Sequence, residues 1–425
     1  METIDLIVRG AAQLITMDEA QPARDASGAL SLITDGAVAV DGGKVLEYGT
    51  TAEIAAKYEA LTTVSAEGMV VTPGLVDPHT HLVFPATRED EFEMRNLGLS
   101  YREISEKGGG IHASVRRLRE MSRAELIKKS LPHLDCALLH GTTTLEIKSG
   151  YGLTPKDEFK MLEAVAELDR SHAMDVAATF LGAHEVPLEF RDDKEKYIAL
   201  VVNEMLPEVA RRKLAEFCDV FCEAHVFNIE ESREILLAAR KAGLKLKLHA
   251  DEIEPLGGAE LAGELKAVSA DHLIAASDKG IAAMREGGVV PVLLPGTSFS
   301  LGNGKHAPAR KMLKAGLPVA LGTDFNPGTS FTESQQMTMA LACVNLKMTA
   351  EEALRGCTIN AARAIRREKL VGGLAPGKQA DIIIWSIPNF QHLGYHFGVN
   401  LVHTVIKKGK VVVETAGAVL RTLPV

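Results

Sequence analysis

A chain of 425 residues, 46% hydrophobic and 24% charged, is globular in composition and longer than one ordinary domain. Its formal net charge of −9 argues against a nucleic-acid or anionic-membrane partner, since either needs a basic face. No apolar run approaches the ~20 residues that cross a bilayer, and the first residues lack the basic start and long apolar core of a secretion signal. The five cysteines include no C-x-x-C pair, so the expectation is a cytoplasmic chain with reduced thiols.

Residues 1–72 are built of short strand-like runs, IDLIVRGAAQLITM, AVAVDGGKVLEYG and the start of TTVSAEGMVVTPG, separated by Gly and Asp-Gly turns. Residues 366–425 return to that texture in ADIIIWSI, HTVIKKGKVVVE and TAGAVLRTLPV. The two ends are expected to pair into one small composite β-sandwich, with residues 73–365 inserted between them. In that insert, short apolar pieces alternate with helical periods: GLVDPHTH, TTTLEIKSG, AATFLGAHE, CDVFCEAHVF, LKLKLHADE, AVSADHLI, VVPVLLPG and PVALGTDF. Eight such pieces predict an α/β fold, a (β/α)8 TIM barrel. Apolar spacing of three and four predicts helices over 155–170 and 230–243. Residues 85–115 are too long for a simple βα connection, and the three glycines Gly108 to Gly110 suit a hinge, so either a lid over the barrel mouth or a rigid surface excursion is expected there.

The polar signatures stand at the ends of the strand-like pieces. His79 and His81 end the first, His184 the third, His249 the fifth (with Glu252 just after), His272 the sixth and Asp324 the eighth. A single strand histidine is more often structural than a ligand, and an isolated H-x-H is a weak signal. Alternate residues of a strand share a side, however, so His79 and His81 project together. In such barrels all strand C-termini surround one site. His79, His81, His249 and Asp324 are the expected ligand set for one divalent ion, whose water would have a pKa near ~7 and supply a metal-activated hydroxide. His272 is placed to polarise a carbonyl or move a proton, and Glu252 to hydrogen-bond a substrate N–H or shuttle a proton. Alternation also sets Lys247 with His249, Glu146 with Lys148, and Glu223 with His225. If those rows face the axis, Lys247 or Lys148 must pair with Glu146 or Glu223, because an unpaired buried charge is very costly. His225 is expected to support the metal site from behind. In NPGTSFTES, Asn326 to Gly328 reads as a turn and Ser330 with Glu333 as a capping box, whose free N–H groups would favour a carboxylate.

The segments PGLVDPHTHLVF, LKLHADE, GTDFNPGT and GGLAPGKQADIIIW resemble the amidohydrolase superfamily. Within it, KSGYGL, FLGAHEVP and GGGIHASV are similar to the imidazolonepropionase branch. The resemblance implies a barrel on a composite β-sandwich, a single zinc or iron, a homodimer, and hydrolysis of 4-imidazolone-5-propanoate to N-formimino-L-glutamate. It implies metal ligation by His79, His81, His249 and Asp324. Substrate contacts fall on Arg88, Tyr101, Tyr151, His184, Asn326, Gly328 and Thr329, and proton-transfer or carbonyl-polarising roles on Glu252 and His272. Asp324 would pass a proton to the leaving nitrogen, and Arg88 would grip the propionate tail. Some superfamily members bridge two metals with a carboxylated lysine on the fourth strand. CDVFCEAHVF has no lysine, so one metal is expected. The alternatives are a deaminase of guanine or cytosine type and a non-catalytic scaffold; the scaffold would be expected to have lost ligands.

Overall fold

The structure is a computed structural model and describes residues 1–20, 30, 32–99, 103, 108–302 and 304–415. All eight expected barrel pieces form strands: Leu75–Asp77, Thr142–Lys148, Asp175–Ala183, Phe217–Cys222, Lys245–Ala250, Ser269–His272, Val290–Leu293 and Ala320–Leu321. They pair in sequence order, each parallel to the next. The extension of the eighth strand then meets that of the first. Asp324 N donates to His79 O (3.0 Å) and His81 N donates to Phe325 O (2.9 Å), which closes the barrel at its C-terminal rim. The helices expected over 155–170 and 230–243 run Pro155–Ser171 and Ile229–Lys241, with Thr154 and Asn228 as their N-caps. No helix among the described residues is long and apolar enough to cross a membrane.

Both chain ends build the flanking sheets, as their strand-like texture predicts. One sheet runs Lys44–Thr50, Gly36–Asp41, Glu2–Ala11, Tyr58–Ser65; the other runs Lys410–Glu414, Val402–Lys407, Ile382–Trp385, Val70–Pro73, Gln13–Ile15, Leu32–Ile33. Leu6, Val8, Val38 and Val40 of the first share a buried cluster with Leu14, Val71, Ile382 and Ile406 of the second, which makes the pair a sandwich. The run from Ala416 onward lies outside the described residues. So do residues 100–102 and 104–107, a short part of the expected lid; its flanks are the helices Glu89–Asn96 and Ile111–Glu120. Val70–Pro73 passes directly into the first barrel strand at Gly74, where a Cβ would lie 2.2 Å from Thr143 Oγ1. Only glycine lets the chain pass that closely from sandwich to barrel.

The barrel interior is layered. At the N-terminal end, Val76, Ala177, Phe217, Val292 and Ala320 pack against Ala361 and Ala364 of the helix Ile359–Ala364. A fully buried charged layer follows, as the alternation of polar residues predicts. Lys148 Nζ lies 2.9 Å from Glu146, 2.8 Å from Asp219 and 3.6 Å from Asp271. Lys247 Nζ is 3.3 Å from Glu146 and donates to the carbonyls of Pro78 (3.1 Å) and Ala364 (3.3 Å). Burial alone would depress the Lys148 ammonium, but Asp219, Glu146 and Asp271 outweigh it and hold its pKa above the usual lysine value. Glu223, the other expected partner, accepts instead from the N–H groups of Ile253 (2.9 Å) and Glu254 (3.2 Å), because it lies past the end of its strand. Lys148→Ala would leave three carboxylates buried without their shared cation. The expected loss of unfolding free energy is about 3–5 kcal/mol, measured from the shift in the urea midpoint.

Candidate active site

Above the charged layer the first-strand extension turns two imidazoles into the mouth. His79 Nδ1 is 2.6 Å from Asp271 Oδ2, so it carries the proton, and Nε2 faces the opposite way. That Nε2 is buried, has no hydrogen-bond partner, and lies 3.5 Å from Asp324 Oδ1. His81 Nε2 is 3.6 Å from the same oxygen and 3.4 Å from His249 Nε2. His249 Nδ1 is 3.0 Å from Asp219 Oδ2, which also orients this ring. His79, His81 and Asp324, and likewise His79, His249 and His272, hold donor atoms within 4.8 Å of one another.

The electrostatics suit a cation. Burial, aided by neighbouring positive groups, pushes the His79, His81 and His272 pKa values well below the ordinary imidazole range, so these rings are neutral. For His249 burial acts in the same direction, but Asp219 reverses it and raises the pKa. Burial lifts Asp324 to about 6, opposed by the hydroxyl of Thr297, which donates to its Oδ2 at 2.5 Å. Unpaired imidazole nitrogens facing one another and a carboxylate repel unless something positive lies between them. A set of imidazoles with one carboxylate fits a divalent transition metal, and the grouped donor atoms could hold one.

Of the other expected site residues, His272 Nε2 lies 3.5 Å from Glu252, whose pKa burial raises to about 8. His184 stacks on His81, with ring centroids 5.0 Å apart and planes 18° apart. Tyr151 is buried 5.5 Å from the His184 ring and 6.1 Å from that of His81. Arg88 donates through Nη2 to Glu91 Oε2 (2.6 Å), while its Nε is buried without a partner. Its guanidinium lies against Gly328, where a Cβ would come 2.6 Å from Nη1. Asn326 Oδ1 accepts from the N–H groups of Gly328 (2.8 Å) and Thr329 (2.7 Å), and its Nδ2 donates to Asp324 O (2.6 Å). Tyr101 lies outside the described residues.

Two expectations fail. His225 is exposed, because the fourth strand ends at Cys222 and the chain turns outward. The Ser330–Glu333 capping box does not form. Ser330 Oγ donates to Thr323 O, Glu333 pairs with His133, and the helix begins at Gln335 with Ser334 as its cap. The N–H groups of Gly328 and Thr329 are consumed by Asn326, so no free helix start faces a carboxylate here. Three residues of consequence were missed: Asp219 and Asp271, which hold the outer nitrogens of His249 and His79, and Thr297. Asp219 shares the alternate row of Glu223, and Asp271 that of Ser269, so both had a periodicity signal.

A carboxylate behind a ligating histidine fixes its tautomer and raises its basicity. Asp271→Asn is therefore expected to weaken metal affinity by about 10–100-fold, measured by competition with a chromophoric chelator, with the folded state checked by circular dichroism.

The model of the amidohydrolase family matches residues 70–412. An imidazolonepropionase of Alkaliphilus oremlandii (strain OhILAs) is 48% identical over 98% of this chain and 100% of its own length. One of Geobacillus kaustophilus (strain HTA426) is 49% identical over 96% of this chain and 98% of its own. Among solved structures, an adenosine deaminase from Xanthomonas campestris with bound zinc superposes with a TM-score of 0.73 at 18% identity. That match covers 96% of this chain and 93% of the deaminase, and at this identity it bears on the fold alone. The chain belongs to the amidohydrolase family, in the branch of the imidazolonepropionases.

Proposed function

We infer that this chain hydrolyses the cyclic amide C–N bond of 4-imidazolone-5-propanoate, giving N-formimino-L-glutamate in histidine degradation. The observation that carries the reading is a buried His79–His81–His249–Asp324 cluster next to Arg88 and Tyr151, in a chain nearly half identical over its length to proteins named for this activity. The reading takes 73–365 as the catalytic domain and 1–72 with 366–425 as the sandwich. It also takes one zinc or iron ion per chain, a homodimer and a cytoplasmic setting, with a small molecule as partner.

His79, His81, His249 and Asp324 would hold the ion, which would supply Lewis acidity and lower the pKa of water. Asp324 takes a proton from the attacking water and gives it to the ring nitrogen as the C–N bond breaks. His272 hydrogen-bonds the ring oxygen, where charge develops, and Glu252 shuttles a proton at the ring. His184 and Tyr151 enclose the ring. Arg88, with one edge held by Glu91, presents its remaining N–H groups to the propionate, and Asn326, Gly328 and Thr329 form the wall behind it.

Assay of freshly prepared imidazolone propionate beside guanine and cytosine tests the reading. Turnover of the first alone is expected; turnover of a purine or pyrimidine alone would replace it with deamination. Elemental analysis is expected to give one ion per active chain, and two would contradict the ligand set. Losing a charge-assisted tail contact costs about 1.5–3 kcal/mol. Arg88→Ala should therefore lower kcat/KM roughly tenfold to more than a hundredfold with unchanged metal content. Arg88→Lys should recover part of it, since an ammonium lacks the planar fork. Near-normal kcat/KM in metallated Arg88→Ala would remove Arg88 from the site.

A further inference from the structure

Beside the metal cluster, the loop Ser149–Leu153 joins the second barrel strand to the helix Pro155–Ser171 and carries Tyr151. It is wrapped around one buried carboxylate. Glu158 Oε1 accepts from the N–H groups of Gly152 (2.8 Å) and Leu153 (2.9 Å), and the Gly150 N–H lies 3.1–3.2 Å from its two oxygens. Three backbone donors of a five-residue loop thus converge on a side chain that is itself fully buried. The loop takes left-handed conformations at Gly150 (φ 112°) and Leu153 (φ 53°), and a Cβ on Gly152 would lie 2.5 Å from Glu158 N. The backbone is therefore pressed onto the helix start by the same residue that binds it.

The carbonyl of this loop is also in use. His184 Nδ1 lies 3.0 Å from Gly150 O, and a carbonyl only accepts, so Nδ1 carries the proton. That leaves Nε2 of the neutral ring as an acceptor. A Cβ at Gly150 would come 2.8 Å from that Nδ1, so the contact depends on glycine. One residue joins the two arms: Glu158 fixes the Gly150 N–H, and the Gly150 carbonyl fixes the His184 tautomer. Tyr151, next in the chain, is set by the same bonds.

We propose that Glu158 is a positioning residue that, through Gly150, presents His184 Nε2 as an acceptor for a substrate ring N–H and holds the Tyr151 phenol against it. This rests on the reading above for the substrate, but its structural half does not. Specificity follows from it: an acceptor at this point favours a ring bearing N–H and disfavours one bearing a lone pair there.

Two measurements on the full-length, metal-loaded protein test the proposal. In the first, 15N-histidine NMR, with the His184 signal assigned by its loss in His184→Gln, reads the tautomer directly. Wild type is expected to show a protonated Nδ1, and Glu158→Gln, which keeps one acceptor oxygen but sets an NH2 donor where the other met the Gly150 N–H, a mixed tautomer. An unchanged His184 signal in Glu158→Gln overturns the proposal whatever the substrate is. In the second, KM for imidazolone propionate is expected to rise about tenfold or more in Glu158→Gln with kcat changed less, as for lost ground-state positioning. The rise should largely vanish when both are measured in a Tyr151→Phe, His184→Gln background. A lowered Tm with wild-type KM, or a loss that multiplies fully in that background, would make Glu158 a structural prop only. Should Glu158→Gln fail to fold, Glu158→Asp, which keeps the charge but falls one methylene short, is read by the same two measurements. Absence of turnover in wild type would sink the substrate reading and leave the NMR arm standing.

Discussion

Everything at the mouth of this barrel depends on how its interior neutralises buried charge. Lys148 and Lys247 face Glu146, Asp219 and Asp271, all fully buried. Two ammonium groups against three carboxylates leave one negative charge over, and that surplus is directed upward. Asp219 contacts Lys148 on one side and His249 on the other; Asp271 contacts the lysines and His79. The lysines therefore do more than compensate. They hold the two carboxylates that decide which imidazole nitrogens are protonated and which point into the cluster. A hydrophobic filling of this layer would pack as well and cost less desolvation, but nothing would then orient the rings. Asp77 stands apart from the lysines: burial pushes it up to about 7, and it is held by the N–H and hydroxyl of Thr323.

Much of this was legible because strands announce themselves by a period of two. Glu146 with Lys148 and Lys247 with His249 were read as rows facing one side, and the ion pairs followed from the cost of an unpaired ammonium. The eight strands, the helices near 155–170 and 230–243, and the sandwich built from both ends were carried by apolar runs and Gly turns. What failed did so where local chemistry had two solutions. Ser330 and Glu333 have the spacing of a capping box, but each found a tertiary partner, Thr323 O and His133, and the cap moved to Ser334. His225 lies on the right row, yet its strand stops three residues earlier. Arg88, expected to grip a carboxylate tail, also pairs with Glu91, three residues on, inside the protein.

The same logic explains why the region around Tyr151 was only half readable. Sequence similarity singled out KSGYGL, but nothing in its spacing says that the loop closes on a carboxylate five residues past its Leu153. Glu158 sits in a helical period and reads as one more polar residue of an amphipathic helix. Its function in the fold appears only when the left-handed turns at Gly150 and Leu153 bring three N–H groups back onto it. Loops whose backbone donors are satisfied by a single side chain are held rigid without secondary structure of their own, which suits a residue that must present a ring to a ligand.

Strand alternation also has a limit that this site uses. Asp271 and His272 are consecutive, as are Thr323 and Asp324, and both members of each pair act toward the interior: Asp271 on His79 and Thr323 on Asp77, with His272 and Asp324 in the cluster above. A regular strand would send every second one of these outward. The conflict is resolved by left-handed backbone at His272 (φ 72°) and Asp324 (φ 51°), conformations that cost a non-glycine residue about 1–3 kcal/mol. Each is over-determined by its surroundings. Asp324 N donates to His79 O and its carboxylate accepts from Thr297, while beyond His272 the Leu273 N–H donates to Ala250 O (3.1 Å). At Asp324 a bond that closes the barrel rim thus also maintains the strain. One residue of each pair supports the ligands from below and its neighbour reaches the chemistry, so a strand end two residues long serves two layers of the site.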